Sequence, residues 1–574
     1  MPGSKEIVGI LRGAHSNTVN YVIPIRANEP TSIGSLPQYD FQIRDPRVSY
    51  LHAVIYTVKY DDDDRAGIHV PFIQDLSDNG TYLNHQPIGR NRAAALFQGC
   101  IISFATSDFE FYYIPKTPFN SAQYAYSDVT PATEMEEFIP NNGITTDNQD
   151  HDSQQAKDNI IIRLTDLIAA GGEGSVYLAI PLKAQILPVA CKIRDSRYGR
   201  HSPVRIQEEI EIMRYCQHVG ILPLLGIHRP DPKRDCWYLL TPLATGGNLE
   251  RKIKIWKETV KDAEAIKDPN NRDVLLVRCI STIRCIFYQL AMAVYYLHSP
   301  YFDSRGRKAK RVIIHADIKP SNILIYDNAN YPWVILGDFG SAFFKEKANI
   351  RLTEGGTLPY WAPELFKMRQ EDFVIEEPEK IDIWALGLIL YEMIGYCHPF
   401  VHKDTPKDRT YEDIRDNQLK FDGSLWSDVG QEVKDLIQWC LKKDPRERPT
   451  ISELLGFGQL NLPDERRRVH HWIHDGQDMA RFGEFAARFR AEKLIWAGQW
   501  HNADASSQST EHEGEETKTY DGQVDNLYFK NSFSNHEKQI IVEMTQKEKQ
   551  VRPGRFPNNR WMLEVLDEKQ SSNS

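Results

Sequence analysis

The sequence predicts a multidomain protein in which an all-β sandwich precedes a larger α+β domain. Its 574 residues exceed what one hydrophobic core usually organises. Residues 5–115 contain short β-branched and aromatic runs separated by turn signals such as Asp78-Asn79-Gly80, a pattern typical of a sandwich. Residues 160–245 are again strand-rich, and helical periodicity dominates from there to about residue 460.

Three further segments complete the predicted organisation. Residues 116–159 are rich in Ser, Thr, Asn, Gln, Asp and Pro, and they bury too little apolar surface to offset chain entropy, so we predict a flexible linker. Residues 459–500 combine a helical period with a basic start, which favours a helical extension that packs on the preceding domain. Residues 501–574 predict a mostly disordered acidic tail.

The overall composition excludes several classes of protein. A net charge of −10 argues against direct nucleic-acid binding. No run of about 18 apolar residues occurs, so no membrane partner is expected, and the longest apolar stretch, 286–297, predicts a buried core helix. The eight cysteines are scattered singly, which suits reduced thiols in the nucleus, the cytoplasm or both.

A glycine-rich turn and a lysine on the next strand form the first candidate site. The turn contains Gly171, Gly172 and Gly174, and glycines let the backbone approach phosphate groups closely. Taken alone, such a turn is more often just a tight hairpin. The next predicted strand ends in Lys192, a cation that Glu209 on the following helix can hold extended. Together these residues indicate a nucleotide phosphate site.

Two short motifs supply the other groups that phosphoryl transfer needs. In the run from His315 to Leu324, Asp317 can accept or orient a hydroxyl proton, and Lys319 can neutralise a phosphate. Asn322 in that run and Asp338 in Gly337-Asp338-Phe339-Gly340 carry oxygen ligands of the kind that Mg²⁺ prefers.

With these motifs in this order, residues 160–458 resemble the eukaryotic protein kinase catalytic domain. The resemblance implies an α+β bilobal fold, ATP and Mg²⁺ as cofactors, and protein substrates. It assigns catalysis to Asp317, Lys319, Lys192 and Glu209, and a pairing of Lys319 with Thr357 favours serine/threonine over tyrosine specificity. It also implies that Arg448 pairs with Glu364. The nucleotide contacts that it implies are Ile168, Ala169, Gly171, Gly172, Gly174, Val176, Ala190, Lys192, Thr241, Pro242, Leu243 and Asn248.

The kinase-like region departs from the family pattern at two positions. Ala169 stands where the first glycine of the loop is usual, and alanine fits there if its φ is negative. Ala316 replaces the arginine that contacts a phosphorylated activation loop in the family. The second departure predicts that activity does not depend on a phosphate–arginine clamp at Thr353.

The loops of the N-terminal domain carry a second resemblance. Ser49-Tyr50-Leu51-His52 and Asp78-Asn79-Gly80 place a hydroxyl, an amide and backbone N–H groups in neighbouring loops. On these motifs residues 5–115 resemble the forkhead-associated (FHA) domain, which implies binding of phosphothreonine proteins through Ser49 and Asn79. Ser35 replaces the usual arginine, and Arg47 or Arg44 could supply the missing charge. A sandwich that kept the fold but lost its ligand is the alternative.

The sequence is compatible with three functions for the whole chain. The first is an active kinase, similar in architecture to checkpoint kinases of DNA-damage or cell-cycle signalling. The second is a pseudokinase-type phosphopeptide-binding scaffold, and the third is a small-molecule kinase, which the segment from Thr357 to Glu364 disfavours. Threonines in the linker suggest self-association, in which one phosphorylated linker is bound by the N-terminal domain of a second molecule. Those threonines are Thr130, Thr133, Thr145 and Thr146.

Overall fold

The computed structural model describes both predicted domains and a short part of the chain between them. The described residues are 7–13, 22–27, 29–60, 69–97, 100–115, 136–140, 160–171, 174–181, 187–196, 203–228, 236–265, 269–300, 311–327, 329, 331–348, 356–367, 375–401, 406, 409–427, 429–456, 463–477 and 479–487. The tail 501–574 and the four linker threonines lie outside them, so the disorder and the self-association stay predictions.

The N-terminal domain is a sandwich of two sheets, as the sequence predicted. The first sheet has the order β2-β1-β11-β10-β7-β8 and the second the order β4-β3-β5-β6-β9. Side chains of both sheets, such as Ile23, Ile55, Ile73 and Phe111, are buried together in one core. The strands are β1 Ile7–Gly13, β2 Val22–Arg26, β3 Thr31–Gly34, β4 Phe41–Gln42, β5 Ala53–Lys59, β6 His69–Asp75, β7 Thr81–Leu83, β8 Gln86–Pro87, β9 Ala93–Ala95, β10 Ile101–Phe104 and β11 Thr106–Pro115.

A six-stranded barrel with one helix forms the small lobe of the second domain. The strand order is β12-β13-β14-β15-β17-β16, and helix α1, Pro203–Tyr215, connects β15 to β16. A proline in the first helical turn suits this start, because the N–H that it lacks would have no partner there. The strands are β12 Glu136–Pro140, β13 Ile160–Gly171, β14 Gly174–Pro181, β15 Val189–Asp195, β16 Gly226–His228 and β17 Cys236–Thr241.

Strand β12 lies inside the segment predicted as a flexible linker, 116–159, and the prediction fails there. Glu136 pairs with Ile162 on β13, and Ile139 pairs with Ile227 on β16, so the strand closes the barrel. Pairing to two neighbouring strands satisfies backbone groups whatever the side chains are. A polar composition averaged over the whole segment therefore concealed this short strand.

The large lobe is helical and is built around one helix that is buried on nearly every side. In helix α5, Lys380–Gly395, all residues from Lys380 to Ile394 are buried. A Cβ atom on Gly387 would stand 2.7 Å from Cβ of Cys440, so only glycine allows this close packing. The other helices are α2 Leu249–Ala265, α3 Pro269–His298, α4 Pro363–Lys367, α6 Thr410–Asp416, α7 Ser424–Ser427, α8 Gln431–Cys440, α9 Ile451–Leu455 and α10 Asp464–His474. Four short strands complete the lobe: β18 Ile313–Ile314, β19 Ile323–Ile325, β20 Val334–Leu336 and β21 Phe343–Phe344.

The apolar half of helix α3 is a core element of the large lobe. Among the described residues, Ile280–His298 is the one helical stretch long and apolar enough to cross a membrane, and 72% of it is buried in the protein. Ile286 and Leu297 are fully buried, which confirms the predicted core helix at 286–297.

The C-terminal extension packs on the large lobe where the structure describes it. The ring of Trp472 on α10 lies 6.0 Å from the ring of Phe287 on α3. A short helical stretch at 482–487 places Phe485 in a stack with Trp333, at 4.6 Å. These contacts agree with the helical extension predicted for 459–500, of which 488–500 lies outside the described residues.

Candidate active site

Lys192 joins the two lobes of the second domain through a pair of carboxylates. Its Nζ donates hydrogen bonds to Oε1 of Glu209, at 2.7 Å, and to Oδ1 of Asp338, at 2.6 Å. Glu209 lies on α1 of the small lobe and is almost fully buried, whereas Asp338 belongs to the large lobe. The pairing of Lys192 with Glu209 expected from the sequence is therefore present, and it holds the lysine extended in the cleft.

The loop after β18 places Asp317 between two donors. Nζ of Lys319 lies 2.8 Å from Oδ2 of Asp317, and Nδ2 of Asn322 lies 3.1 Å from the same oxygen. Lys319 also donates to Oγ1 of Thr357 at 2.7 Å, which is the pairing implied by the kinase resemblance. The structure thus brings together three residues of one short motif and a threonine some forty residues away.

The second oxygen of Asp317 differs from the first in its surroundings. Oδ1 is buried and has no hydrogen-bond partner among the residues that the structure describes. Asp317 also lines a pocket with Thr357 and Tyr360. A buried acceptor without a donor is costly, and in a cleft it is the expected state of a group that awaits a hydroxyl.

Asp338 is held in a left-handed backbone conformation beside the lysine. Its φ is 63°, which is uncommon for a residue other than glycine. The next residue, Phe339, is fully buried and its ring lies 4.9 Å from the ring of His315. This packing fixes the turn, so that the carboxylate of Asp338 points to Lys192.

An aspartate of helix α5 anchors the loop that carries Asp317. The carboxylate of Asp382 accepts backbone N–H groups of His315 and Ala316, both at 2.9 Å. It also contacts Nε2 of His298 at 2.8 Å. Burial alone would raise the pKa of Asp382, but the hydrogen bond and charge of His298 and the charge of His315 outweigh it and lower the pKa. This function of Asp382 was not predicted from the sequence, although a carboxylate between two isoleucines in a largely apolar helix was a signal for it.

The glycine turn has one position that admits no side chain. Gly174 has φ +136°, and a Cβ atom there would stand 2.4 Å from the carbonyl oxygen of Ile193. Gly171 pairs with Gly174 across the turn, while Gly172 lies outside the described residues. Ala169 lies in strand β13 opposite Val176, an extended conformation that alanine adopts without strain.

The residues implied for the adenine site lie around the chain that links the lobes. Ile168, Ala190 and Leu243 are buried in one apolar cluster, with Val176 packed against it. Thr241 ends β17 opposite Ala190 and is also buried, and Pro242 follows it in the chain. Asn248 precedes α2, and its Oδ1 accepts the N–H of Arg251 at 3.0 Å, so its described contact is a helix cap.

A buried ion pair holds the end of the segment that follows the site. Both oxygens of Glu364 accept from the guanidinium of Arg448, at 2.6 and 2.8 Å. The two side chains are almost fully buried. This bidentate pair confirms the contact expected from the resemblance.

In the N-terminal sandwich, the two predicted loops meet as expected. Oγ of Ser49 accepts the N–H of Asp78 at 3.1 Å, and Nδ2 of Asn79 donates to the carbonyl oxygen of Arg47 at 2.7 Å. His52 bridges the loops: its Nδ1 accepts the N–H of Ser49, which leaves Nε2 to donate to the carbonyl oxygen of Gly80. Burial lowers the pKa of His52 and favours this neutral form.

The cation proposed to replace the missing arginine already has an acidic neighbour. Arg47 makes two hydrogen bonds to Asp45, at 2.8 and 2.9 Å, which lower the pKa of Asp45 to about 2. A second cation lies at the same loops: a guanidinium nitrogen of Arg90 is 2.6 Å from Oδ1 of Asp78. This arginine was not identified from the sequence. Both arginines are about half exposed, so a phosphate group could compete for them.

Two family models match the chain. A model described as protein kinase domain matches residues 162–457, more than half of the chain, and a model described as FHA domain matches residues 31–105. Both matches lie within the ranges predicted for the two domains.

Several curated proteins are similar over most of the chain. The meiosis-specific serine/threonine-protein kinase mek1 of Schizosaccharomyces pombe is 24% identical over 77% of this chain and 83% of its own length. The probable serine/threonine-protein kinase fhkC of Dictyostelium discoideum is 26% identical over 75% of this chain and 61% of its own. The ovarian-specific serine/threonine-protein kinase Lok of Drosophila melanogaster is 26% identical over 67% of this chain and 68% of its own length. A solved structure of Rad53 1-466 with AMP-PNP is 20% identical, with a TM-score of 0.37.

Proposed function

Since the chain belongs to the protein kinase family, we propose that the side chains gathered around Lys192 and Asp317 transfer the γ-phosphoryl group of ATP to protein hydroxyls. The chain is a serine/threonine kinase with an FHA domain before its catalytic domain. The observation that carries the assignment of residues is Oδ1 of Asp317, which has no partner among the described residues. It lies in the loop whose Asn322 accepts the N–H of Gly337, the neighbour of Asp338. A peptide-array phosphorylation assay with ATP and Mg²⁺ tests the proposal.

The chemistry needs one bond to form and one to break. The hydroxyl oxygen of the acceptor attacks the γ-phosphorus, the bond between that phosphorus and the β–γ bridging oxygen breaks, and ADP leaves. Asp317 orients the hydroxyl through Oδ1 and takes its proton. Lys319 neutralises the phosphoryl group, since its Nζ already lies between Asp317 and Thr357. Lys192 holds the α- and β-phosphates and is kept in place by Glu209.

The donor atoms in the cleft fit Mg²⁺. Asn322 and Asp338 offer amide and carboxylate oxygens, the hard ligands that this ion prefers, and Mg²⁺ commonly takes its other ligands from water and phosphates. Consistent with such a shared site, no cluster of three or more acidic, histidine or cysteine side chains suited to a metal occurs among the described residues. When bound, the ion neutralises charge on the β- and γ-phosphates.

The scaffold alternative finds no support. A catalytically inactive relative is expected to lack a member of the reactive set, but Lys192, Glu209, Asp317, Asn322 and Asp338 are all present. Lys192 bonds Glu209 and Asp338, and Asn322 bonds Asp317. The N–H of Gly337, the neighbour of Asp338, donates to the carbonyl oxygen of Asn322 at 2.9 Å and joins the two groups. The serine/threonine kinases among the relatives also disfavour a small-molecule substrate.

The FHA domain implies binding of a phosphopeptide, and we propose phosphothreonine as its target. Ser49 would bind the phosphate and Asn79 the peptide backbone, with Arg47 and Arg90 available to neutralise charge. Because Ser35 leaves out one cation, affinity has to come from this pair of arginines and from the loop amides.

Replacing Ser49 with alanine should weaken binding of a phosphothreonine peptide by about tenfold or more, because one hydrogen bond to a charged group is lost. Calorimetric titration of the full chain with phosphorylated and unphosphorylated peptides measures this. The matched control is Ser32→Ala, which removes a hydroxyl that bonds Asp40 instead of the two loops. Equal affinities for both peptides in the unmutated chain would show that the domain has lost its ligand.

Replacing Thr353 with alanine should leave the phosphorylation rate within about twofold of the unmutated chain. Position 316 offers only a methyl group, so a phosphate on the activation segment finds no guanidinium there. Steady-state phosphorylation of a protein substrate measures the effect; Thr353 itself lies outside the described residues. A near-total loss of activity would contradict the proposal.

The cellular role is proposed from the relatives of the chain. We propose signalling in the DNA-damage response or the cell cycle, in the nucleus or the cytoplasm, because a meiosis-specific kinase is among the similar proteins. Visualising the tagged full chain before and after DNA damage tests this placement, and a chain confined to another compartment would contradict it.

A further inference from the structure

The outer face of the FHA sheet is apolar, although the outer face of a sandwich usually meets water. Along β5, Ile55 points into the sandwich core, so Tyr56 and Val58 point outward. On the neighbouring strand β6, Phe72 pairs with Tyr56 and also points outward. Val70 pairs with Val58 in the same way. We call the chain that follows β17 and links the two lobes the hinge. The outward-facing set Tyr56, Val58, Tyr60, Val70 and Phe72 is then the hinge-docking face.

The catalytic domain covers this face at its adenine site. Val58, Val70 and Phe72 are buried in one apolar cluster together with Ile168, Ala190 and Leu243. The exposed fractions of Val58, Val70 and Phe72 are 4%, 2% and 0%, so contact with the kinase leaves almost none of this surface to water. Three of the side chains proposed to surround adenine are thus buried in one apolar cluster with side chains of the FHA domain.

Hydrogen bonds fix the face to the backbone that links the lobes. The hydroxyl of Tyr60 donates to the carbonyl oxygen of Ala244 at 2.7 Å, and the hydroxyl of Tyr56 donates to that of Thr245 at 3.2 Å. In the reverse direction, the guanidinium of Arg251 donates to the carbonyl oxygen of Lys59. Burial raises the pKa of the Tyr60 phenol, so the hydroxyl stays a donor. Polar and apolar contacts of this kind, made together, define a specific interface.

We propose that the hinge-docking face and the adenine ring of ATP compete for the same residues, so that the FHA domain holds the catalytic domain in a nucleotide-excluding state. This rests on the proposed ATP site. A nucleotide can bind only the fraction of molecules in which the face has moved away, and the apparent dissociation constant rises by the inverse of that fraction.

The phosphopeptide loops lie at the other end of the same strand pair. Ser49 and His52 precede β5, whereas Lys59 and Tyr60 at its far end reach the catalytic domain. Tyr50, beside the loop serine, is 73% exposed. Docking on the hinge therefore leaves the phosphopeptide end of the FHA domain open.

The test is nucleotide binding by the full chain, measured by calorimetry with a non-hydrolysable ATP analogue and Mg²⁺. Val58→Asp places a charge in the covered apolar cluster and should tighten binding by at least about tenfold. Tyr60→Phe removes a single hydrogen bond and should tighten it by a smaller factor. The matched control is Tyr112→Asp. It adds the same charge to the FHA domain, but on strand β11 of the other sheet, where the side chain is 44% exposed.

A second readout does not depend on any variant. Saturating the unmutated chain with nucleotide should increase hydroxyl-radical oxidation of Tyr56, Tyr60 and Phe72, because their rings become exposed. Equal nucleotide affinities in all variants, or unchanged oxidation of these rings while nucleotide binds, would overturn the docking proposal. Absence of nucleotide binding in every variant, Val58→Asp included, would instead overturn the proposed ATP site.

Discussion

Replacing Asp317 with asparagine is expected to lower the rate of protein phosphorylation by about 10²–10⁴-fold. The amide keeps the size of the carboxylate, and its oxygen can still accept from Lys319 and Asn322. What is lost is the charge on Oδ1, the atom that has no partner among the described residues. An amide at that position cannot take the hydroxyl proton. Single-turnover phosphorylation of a peptide substrate at saturating ATP and Mg²⁺ measures the change.

The design separates chemistry from folding and nucleotide binding. Asp416→Asn is the matched control, because it makes the same substitution at an exposed carboxylate that pairs with Arg415 on the large lobe. Its rate should equal that of the unmutated chain. The Asp317→Asn variant should also bind the ATP analogue as the unmutated chain does, since Asp317 faces the acceptor side. A variant that kept full phosphorylation would remove Asp317 from the mechanism.

The reactive set could be predicted because most of it lies in short runs of sequence. Asp317, Lys319 and Asn322 fall within six consecutive positions, and backbone geometry alone keeps them together. Lys192 and Glu209 are seventeen residues apart, but each belongs to a recognisable pattern, a strand and a helix. The strand was predicted to end at Lys192 and in fact continues to Asp195. The sandwich followed the same rule, since runs of β-branched and aromatic residues and the turns between them are local properties.

The features that could not be predicted from the sequence depend on contacts between distant segments. Asp382 reaches the backbone of His315 across 67 positions, and no local pattern shows which loop a buried carboxylate will hold. Strand β12 was missed because backbone pairing needs no apolar run. The hinge-docking face did leave a trace: apolar side chains stand on both faces of β5, which a strand exposed on one side would not have.

Loss of the Glu364–Arg448 pair should produce the largest change in stability. Replacing Arg448 with methionine leaves the carboxylate of Glu364 buried without its cation, a loss typically worth about 3–5 kcal/mol. The carbonyl oxygens of Lys442 and Lys380 also lose the donor that Arg448 provides. Arg448→Lys keeps the charge but not the bidentate geometry, so its cost should be intermediate. Urea unfolding of the full chain measures these differences in free energy of unfolding.

Tryptophan fluorescence leaves the FHA sandwich out of the measurement. All eleven tryptophans lie outside residues 1–115, so the FHA sandwich contributes nothing to the signal. Arg446→Ala is the matched control: it removes an arginine two positions away whose side chain is 77% exposed and pairs with Asp444, and the unfolding midpoint should not move. If Glu364→Leu combined with Arg448→Met is more stable than Arg448→Met alone, the cost of the single change comes from the stranded charge and not from lost packing. Equal stability of Arg448→Met and Arg446→Ala would mean that the pair does not hold the end of the segment from Thr357 to Glu364.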